Sequence, residues 1–197
     1  MESIVNIKIS VKLFLPYNSE SLVNHVFNVN KNFNKYCQIK KINNMLIVKS
    51  TFYVYIIFLY KKFPHITENN FNKFHCNITG IKSIHKIENA RDHLLSLFFS
   101  HLEDIQSEIV IDSITSKFNH GKELNIHTIY KNLKHLKVEN KKLNLHTFPS
   151  LKIRFKELGS VQLYSSGKCI LLGQKSSNDI LIIKNELEKI LDNKNDV

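Results

Sequence analysis

Gly80, Lys82 and Ser83 in CNITGIKS recur as Gly173, Lys175 and Ser176 in ILLGQKS at a constant offset of 93 residues. Each group is followed by apolar residues at helical spacing, so a strand, a glycine turn and a helix occur twice in one chain. A repeated unit of this size restricts the fold to two copies of one plan. At 197 residues and 43% hydrophobic, the chain has material for one substantial core or for two fused halves of about 90 residues sharing a sheet. The repeats are expected at about 3–102 and 108–192, within a single domain spanning 1–197.

The order of elements follows from periodicity. Asn6 to Leu13 alternates strictly, with Ile7, Ile9, Val11 and Leu13 on one face and Asn6, Lys8, Ser10 and Lys12 on the other, which describes a half-buried strand with a basic open face. After Pro16, Ser19 or Ser21 is placed to cap a helix whose stripe is Leu22, Val23, Val26 and Phe27. Strand-like runs follow at Tyr36 to Ile42, Met45 to Val48 and Thr51 to Tyr60. A polar loop at 61–72 precedes a strand at Lys73 to Gly80 and a helix from about Ile84 to His101, its stripe Ile84, Ile87, Ala90, Leu94, Leu97 and Phe98. The second half repeats this order: a strand near Ile109 to Phe118, a helix near Leu124 to Leu136, strands at 147–156, 160–166 and 168–174, and a helix from about Asn178 to Leu191. Leu94, Leu97, Leu181 and Leu187 are expected to be buried. Two such units make an α+β domain.

The formal charge is +11 and comes almost wholly from lysine, the only arginines being Arg91 and Arg154. A polyanionic partner fits this balance. Lysine meets phosphate as a point charge, whereas bidentate reading of guanine is arginine's work, so sequence-specific major-groove readout is not indicated. The abundance of Asn, Lys and Ile also points to an AT-rich source genome, which raises lysine counts without functional demand. Cys37, Cys76 and Cys169 are odd in number and widely spaced, giving neither a disulfide framework nor a metal-binding pair; they read as small core residues of a reducing compartment. The amino terminus has no signal-peptide layout and the apolar run Phe52 to Tyr60 is too short to span a bilayer, so a soluble intracellular protein is expected.

Strand phase then identifies an unusual surface. In the strand after Phe148, Pro149, Leu151, Ile153 and Phe155 are assigned to the helix side and Ser150, Lys152, Arg154 and Lys156 to the open side. In the next strands Val161, Leu163, Cys169 and Leu171 are core, leaving Gln162, Tyr164, Lys168, Ile170 and Leu172 outside. An exposed apolar patch rimmed by cations suits a widened minor groove, where contact with sugars and base edges combines with phosphate neutralisation; the competing reading is a patch covered by a protein partner or another element.

These residues resemble the TATA-box-binding protein (TBP) family, whose second repeat carries an FPGL-type strand, an IFxSGK hairpin, a TGAK turn and a long helix. Here they read Phe148-Pro149-Ser150-Leu151, Leu163-Tyr164-Ser165-Ser166-Gly167-Lys168 and Leu172-Gly173-Gln174-Lys175. The resemblance is specific over 147–191, extends to Asn6–Leu13 and 74–101, and is poor between 30 and 72. It implies a TBP-like saddle, a two-fold pseudo-repeat with a curved antiparallel sheet and helices on the convex face. It also implies a transcription initiation factor that binds AT-rich, TATA-like double-stranded DNA in the minor groove, bends it and nucleates a pre-initiation complex with a IIB-like factor and RNA polymerase machinery. The family is itself the type example of minor-groove wedging by a sheet, so bending is implied by the resemblance and not read from these residues.

Carried over by motif, Phe148 and Tyr164 become the wedge pair of the second repeat, Ile170 and Leu172 its groove contacts, and Arg154, Lys168 and Lys175 its phosphate contacts, with Lys152 and Gln162 on the same face. In the first repeat Asn6 matches an asparagine that bonds groove acceptors, Thr79 a groove threonine and Phe58 one wedge, with Lys8 and Asn77 beside them. The counterpart of Asn6 in the second repeat aligns at Ile109, and that of Phe148 in the first at Asn43, or in another register at Phe52 with Phe71 as its partner. The segment before Phe148, acidic in the family where the IIB-type factor docks, is Lys141-Lys142-Leu143-Asn144-Leu145-His146 here, which puts that docking in question.

Catalytic patterns are weak. His85 and His93 lie two helical turns apart with no HExxH or paired cysteines, and there is no GxSxG or Walker loop, so no enzyme activity, metal, cofactor, small-molecule substrate or membrane partner is expected. The resemblance places the work in the nucleus, or at the site of viral transcription if the source is a large DNA virus. The alternative is a module of the same fold serving as a heterodimer subunit or as a nucleic-acid-binding appendage of an enzyme, with little bending of its own.

Overall fold

The computed structural model describes residues 3–33, 37–59, 72–103, 105–133, 138–144 and 148–192. The chain divides into two compact units, the first Ile7–Ile111 and the second Asp112–Val197 with Met1–Asn6. In chain order the elements of the first half are β1 (Ser3–Leu15), α1 (Ser19–Phe33), β2 (Gln38–Ile42), β3 (Met45–Lys49), β4 (Val54–Phe58), β5 (Asn72–Ile81), a 3-10 turn (Ile84–Lys86) and α2 (Ile87–Phe98). The second half has β6 (Ser107–Asn119), α3 (Ile126–Asn132), β7 (Val138–Asn144), β8 (Phe148–Phe155), β9 (Gly159–Leu163), β10 (Lys168–Gln174) and α4 (Ser177–Asp192). The strands are ordered β2-β3-β4-β5-β1 in one half and β7-β8-β9-β10-β6 in the other, antiparallel throughout the registered pairs. Both halves therefore have one topology, an α+β unit used twice, as the repeat in sequence implied.

Side-chain caps start α1, α3 and α4, whereas α2 follows directly on the 3-10 turn without one. Asn18 caps α1, its Oδ1 accepting from the amides of Glu20 and Ser21 at 3.0 and 2.8 Å, while Ser21 Oγ accepts from Asn18 N at 2.9 Å. The cap is thus Asn18, one residue before Ser19; Ser21 is its reciprocal partner. Asn125 Oδ1 caps α3 by accepting from Thr128 N at 3.0 Å. At α4, Ser176 Oγ accepts from Asp179 N at 3.1 Å and Asp179 Oδ2 accepts from Lys175 N and Ser176 N at 2.8 and 3.1 Å, a capping box that also puts a carboxylate at the positive end of the helix.

The buried stripes hold except at Phe27, Ile84, Leu97 and Leu181, with Ile84 intermediate. Leu22, Val23 and Val26 are buried but Phe27 is 39% exposed, and Leu94 and Leu187 are fully buried while Leu181 is 54% exposed. Leu97 is intermediate. In α4 the run Ile180-Leu181-Ile182-Ile183 leaves the phase undetermined, and the stripe that packs is Ile180, Ile183, Leu187 and Ile190, which turns Leu181 outward. Strand β7 falls where no strand was expected, and α3 ends at Asn132, short of Leu136, which lies outside the described residues; of the loop expected at 61–72 only Asn72 is described, and it opens β5. In the first unit Tyr55, fully buried on β4, shares a hydrogen bond of 2.5 Å between its hydroxyl and His93 Nδ1. Burial raises the Tyr55 phenol and lowers His93, which keeps the phenol protonated and the imidazole neutral at pH 7.

Gly80 and Gly173, the residues that announced the repeat, have φ of +98° and +88° and sit at register shifts in their ladders, between the pairs Ile9–Ile78 and Ile7–Ile81 in one unit and Leu172–Thr115 and Gln174–Ile114 in the other. Both are bulges that reset the alternation by one residue. At the second bulge Gln174 is buried and its Nε2 donates to the carbonyls of Leu172 and Leu158 at 3.0 and 3.3 Å. Gly159, φ +106°, lies against the bulge, where a Cβ would sit 2.5 Å from Leu172 O and 2.7 Å from Gln174 Nε2. A Cβ on Gly173 would meet only Gly159 Cα at 3.9 Å. Gly173→Ala should therefore lose only the left-handed backbone preference, about 1 kcal/mol, whereas Gly159→Ala adds a backbone overlap and should lose about 3 kcal/mol. Denaturant midpoints of the two variants check this, and equal losses would mean that the facing turn yields freely.

Candidate nucleic-acid interface

Alternation in β1, β3, β4 and β5 divides the first unit's sheet into two faces. Ile7, Ile9, Val11, Leu13, Leu46, Val48, Tyr55, Ile57, Cys76 and Ile78 are completely buried. The other face is half-exposed and is ordered by register into rows: Lys49, Val54 and Thr79; then Ile47, Ile56, Asn77 and Ser10; then Met45, Phe58, His75 and Lys12; then Lys73 and Phe14. Ser10 Oγ donates to Asn77 Oδ1 at 2.9 Å, and Lys73 Nζ lies 6.0 Å from the Phe14 ring centre. Lys12 pairs with Glu108 at 2.5 Å, and that hydrogen bond and the ammonium charge hold the Glu108 carboxyl below its usual range.

In the second unit the corresponding rows are Arg154, Ser160, Leu172 and Thr115, and Lys142, Lys152, Gln162, Ile170 and Lys117, with Tyr164, Lys168 and Asn119 closing the series. Leu151, Ile153, Phe155, Val161, Leu163, Cys169 and Leu171 are buried behind them. Gln162, Tyr164, Ile170 and Leu172 are half-exposed and Lys117, Lys142, Lys152, Arg154 and Lys168 exposed. Tyr164 is the first residue of the turn after β9, its amide donating to Lys168 O at 3.0 Å, and Lys168 Nζ stands 5.8 Å from its ring centre.

The phase assigned to β8 fails at its start: Ser150 is 4% exposed and buried, and Pro149 is exposed. The cause is a register shift between the pairs Leu143–Leu151 and Asn144–Phe148, after which alternation restarts at Leu151. Phe148 opens β8 with its backbone opposite Asn144. Repeat equivalence by register puts Asn43 at its position, in the turn between β2 and β3 with φ of +49°, and matches Phe58 to Tyr164 and His75 to Lys168. Phe52 is 68% exposed in the β3–β4 turn, so the alternative register does not hold, and Phe71 lies outside the described residues. The counterpart of Asn6 is Ser113, since Ile7 pairs with Ile81 as Ile114 pairs with Gln174; the alignment at Ile109 ran four residues early because β6 is longer than β1 before its bulge. Asn6 and Lys8 are half-exposed on β1.

Several cations have intramolecular partners. Lys175 Nζ donates to Asp112 O, away from the rows, and Arg154 pairs with Glu139 at 2.9 Å. Lys141 turns to the helix side, donating to the Tyr130 and Leu133 carbonyls at 2.6 and 3.3 Å at the carboxyl end of α3. His75, Lys12, Lys117, Ile47 and Ile56 belong to the open faces but were not among the site residues expected from sequence; the alternation of β5, β1, β6, β3 and β4 carried that signal. Cys76 and Cys169 occupy equivalent buried positions, while Cys37 is half-exposed and so departs from the core assignment.

Residues 108–193 match the family model of transcription factor TFIID, or TATA-binding protein, TBP. Methanococcus jannaschii TBP matches over 100% of this chain and 99% of its own, at TM-score 0.69 and 22% identity, which establishes a common fold. The C-terminal regulatory domain of an aspartate kinase from Porphyromonas gingivalis aligns at TM-score 0.21 and 10% identity over 97% of each chain, too low to bear on the fold. No curated protein matches the sequence.

The Arg154–Glu139 pair is open to water, with side chains 67% and 51% exposed, and such pairs contribute about 0–1 kcal/mol. Glu139→Gln should accordingly leave the unfolding free energy within about 1 kcal/mol of the parent, as chemical denaturation will measure. A loss above about 2 kcal/mol would make the pair a fixed structural contact unable to release Arg154.

Proposed function

We propose, for a chain that is TBP-like in sequence across its second repeat and in fold along its whole length, that it is a DNA-binding transcription initiation factor that docks AT-rich duplex on its open sheet faces through the minor groove. The carrying observation is the half-exposed set Tyr164, Ile170 and Leu172 beside Lys117, Lys152 and Lys168. A sheet that served only solubility would place polar side chains at those three positions. Apolar contact with sugars and base edges, with cations at the phosphates, uses such a surface.

In this reading Lys8, Lys152, Arg154 and Lys168 meet phosphates, Arg154 after exchanging Glu139 for the backbone anion. Lys175 is the weakest of the assigned phosphate contacts because its ammonium is already on Asp112 O. Asn6, Asn77, Thr79 and Gln162 supply hydrogen-bonding groups toward base edges, where the minor groove distinguishes A·T from G·C pairs. Phe58, Phe148 and Tyr164 are the wedges. Recruitment of a IIB-like factor and polymerase, and work wherever the promoter is read, in a nucleus or at a viral transcription site, complete the proposal. The protein performs no chemistry of its own in it.

Log affinity for a TA-rich duplex should fall linearly with log salt, with a slope of about −0.9 per phosphate contact. Lys168→Gln should weaken TA-rich and GC-rich duplexes alike, whereas Asn6→Ala should act mainly on the preference between them. Fluorescence anisotropy on both duplexes measures this; salt-independent binding, or no binding, rejects the DNA reading.

The wedges are unequal. The second repeat has Phe148 and Tyr164, while the first has Phe58 with Asn43 at the other position. Unstacking a base step costs a few kcal/mol and must be compensated by ring insertion, so bending should depend mainly on the second repeat. Phe148→Ala should reduce the bend and the affinity far more than Phe58→Ala, judged by energy transfer across an end-labelled duplex. Equal effects would favour a face that binds DNA without deforming it, or that receives a protein.

A further inference from the structure

His75 stands where the second repeat has Lys168. The equivalence follows from register: Phe58 pairs with His75 across β4 and β5, and Tyr164 joins Lys168 in the same place across β9 and β10. Among the described residues, three groups able to carry positive charge share this part of the first unit's open face. Lys12 on β1 is directly opposite His75, and Lys73 lies two residues along β5 on the same side. Facing side chains in an antiparallel pair have Cβ atoms about 5 Å apart, so the three groups lie within reach of one phosphate. Among the described residues, Phe58 of β4 faces His75 across the ladder, and the Glu108 carboxylate of β6 reaches the group through its ion pair with Lys12.

We infer that Lys12, Lys73 and His75 form a phosphate site in which His75 takes up a proton as the duplex binds, so that the first repeat grips DNA in a pH-dependent way where the second repeat does not. The inference rests on the DNA reading above. In the free protein, burial and then the charges of Lys73 and Lys12 lower the His75 pKa from its ordinary 6.5, so the ring is neutral at pH 7. A phosphate between the two lysines reverses the sign of the local field and favours the imidazolium. It also competes with Glu108 for Lys12. Lys168, at the equivalent place, is an exposed ammonium and needs no proton.

The sign of the linkage is fixed. Protonation is favoured in the complex, so affinity rises as pH falls from the complex's pKa toward the lower pKa of the free protein, by at most tenfold per pH unit for one proton, and is flat outside that window. The test is anisotropy of the full chain on a TA-rich duplex between about pH 5.5 and 8 at constant ionic strength, for the parent, His75→Lys and His75→Gln. The parent should lose roughly tenfold in affinity across that range. His75→Lys should bind with little pH dependence and more tightly than the parent at the alkaline end, and His75→Gln should be weak and equally flat. Both variants are on a half-exposed position, and circular dichroism confirms that they fold. If the parent binds with the same pH profile as His75→Gln, the proton belongs elsewhere and this inference falls while the DNA reading stands. If no duplex binds at any pH, both fall.

Discussion

A single left-handed residue near the end of the last strand governs each half of this protein. Regular alternation would send the residue two beyond Thr79 or Leu172 to the open face. With Gly80 and Gly173 taking positive φ, the ladder slips by one, and Ile81 and Gln174 are driven into the buried layer. The chain then leaves the sheet on its covered side, where the 3-10 turn and α2 or the capped start of α4 follow. Without the slip, helix and strand would be joined on the wrong face, and the row of half-exposed side chains would have no clean edge.

That constraint also explains what the residues disclose. The bulge glycines and the period of two in β1, β5 and β10 are local, so the repeat, the order of elements and the open face can be read from spacing, while the sheet topology is legible only through the resemblance. Features set by contacts between segments are not visible there. β7 has too many lysines and asparagines to look like a strand, yet it forms because β8 offers an edge and Lys141 finds the carbonyls of α3. The exposure of Leu181 depends on which of four successive apolar residues meets the sheet. The inversion at Pro149 and Ser150 arises because three steps of β8 are set against a single step of β7, a mismatch with the partner strand that alternation alone does not record. Individual contacts behave likewise: alternation locates Arg154 on the open side and the resemblance adds Lys175, but only the folded chain commits Lys175 to Asp112 and Arg154 to Glu139.

The two halves keep one skeleton and differ on its open side. Where the first unit presents Ile47, Ile56 and Val54, the second has Lys152, Gln162 and Ser160; where the second presents Ile170 and Leu172, the first has Asn77 and Thr79. Apolar and polar character have changed places between neighbouring strands, while the buried residues behind stay apolar except at Ser116 and Gln174, where the first unit has Ile9 and Ile81. Packing restricts the inner layer to side chains of the right volume, whereas the outer layer is answerable only to what it touches. Divergence between the repeats is thus concentrated on the open faces, which present two chemistries.

Cys76 and Cys169 illustrate the inner layer's constancy, and they have a practical side. One thiol is buried at the same site in each half, and burial raises both, Cys169 to about 12, so almost no thiolate exists in the folded state. Cys37 is only partly covered. Alkylating reagents will therefore mark Cys37 in the native protein and reach the other two only when a sheet opens. Nature has placed one silent reporter in each half, and the order in which they become reactive under denaturant reads out which half of the duplication lets go first.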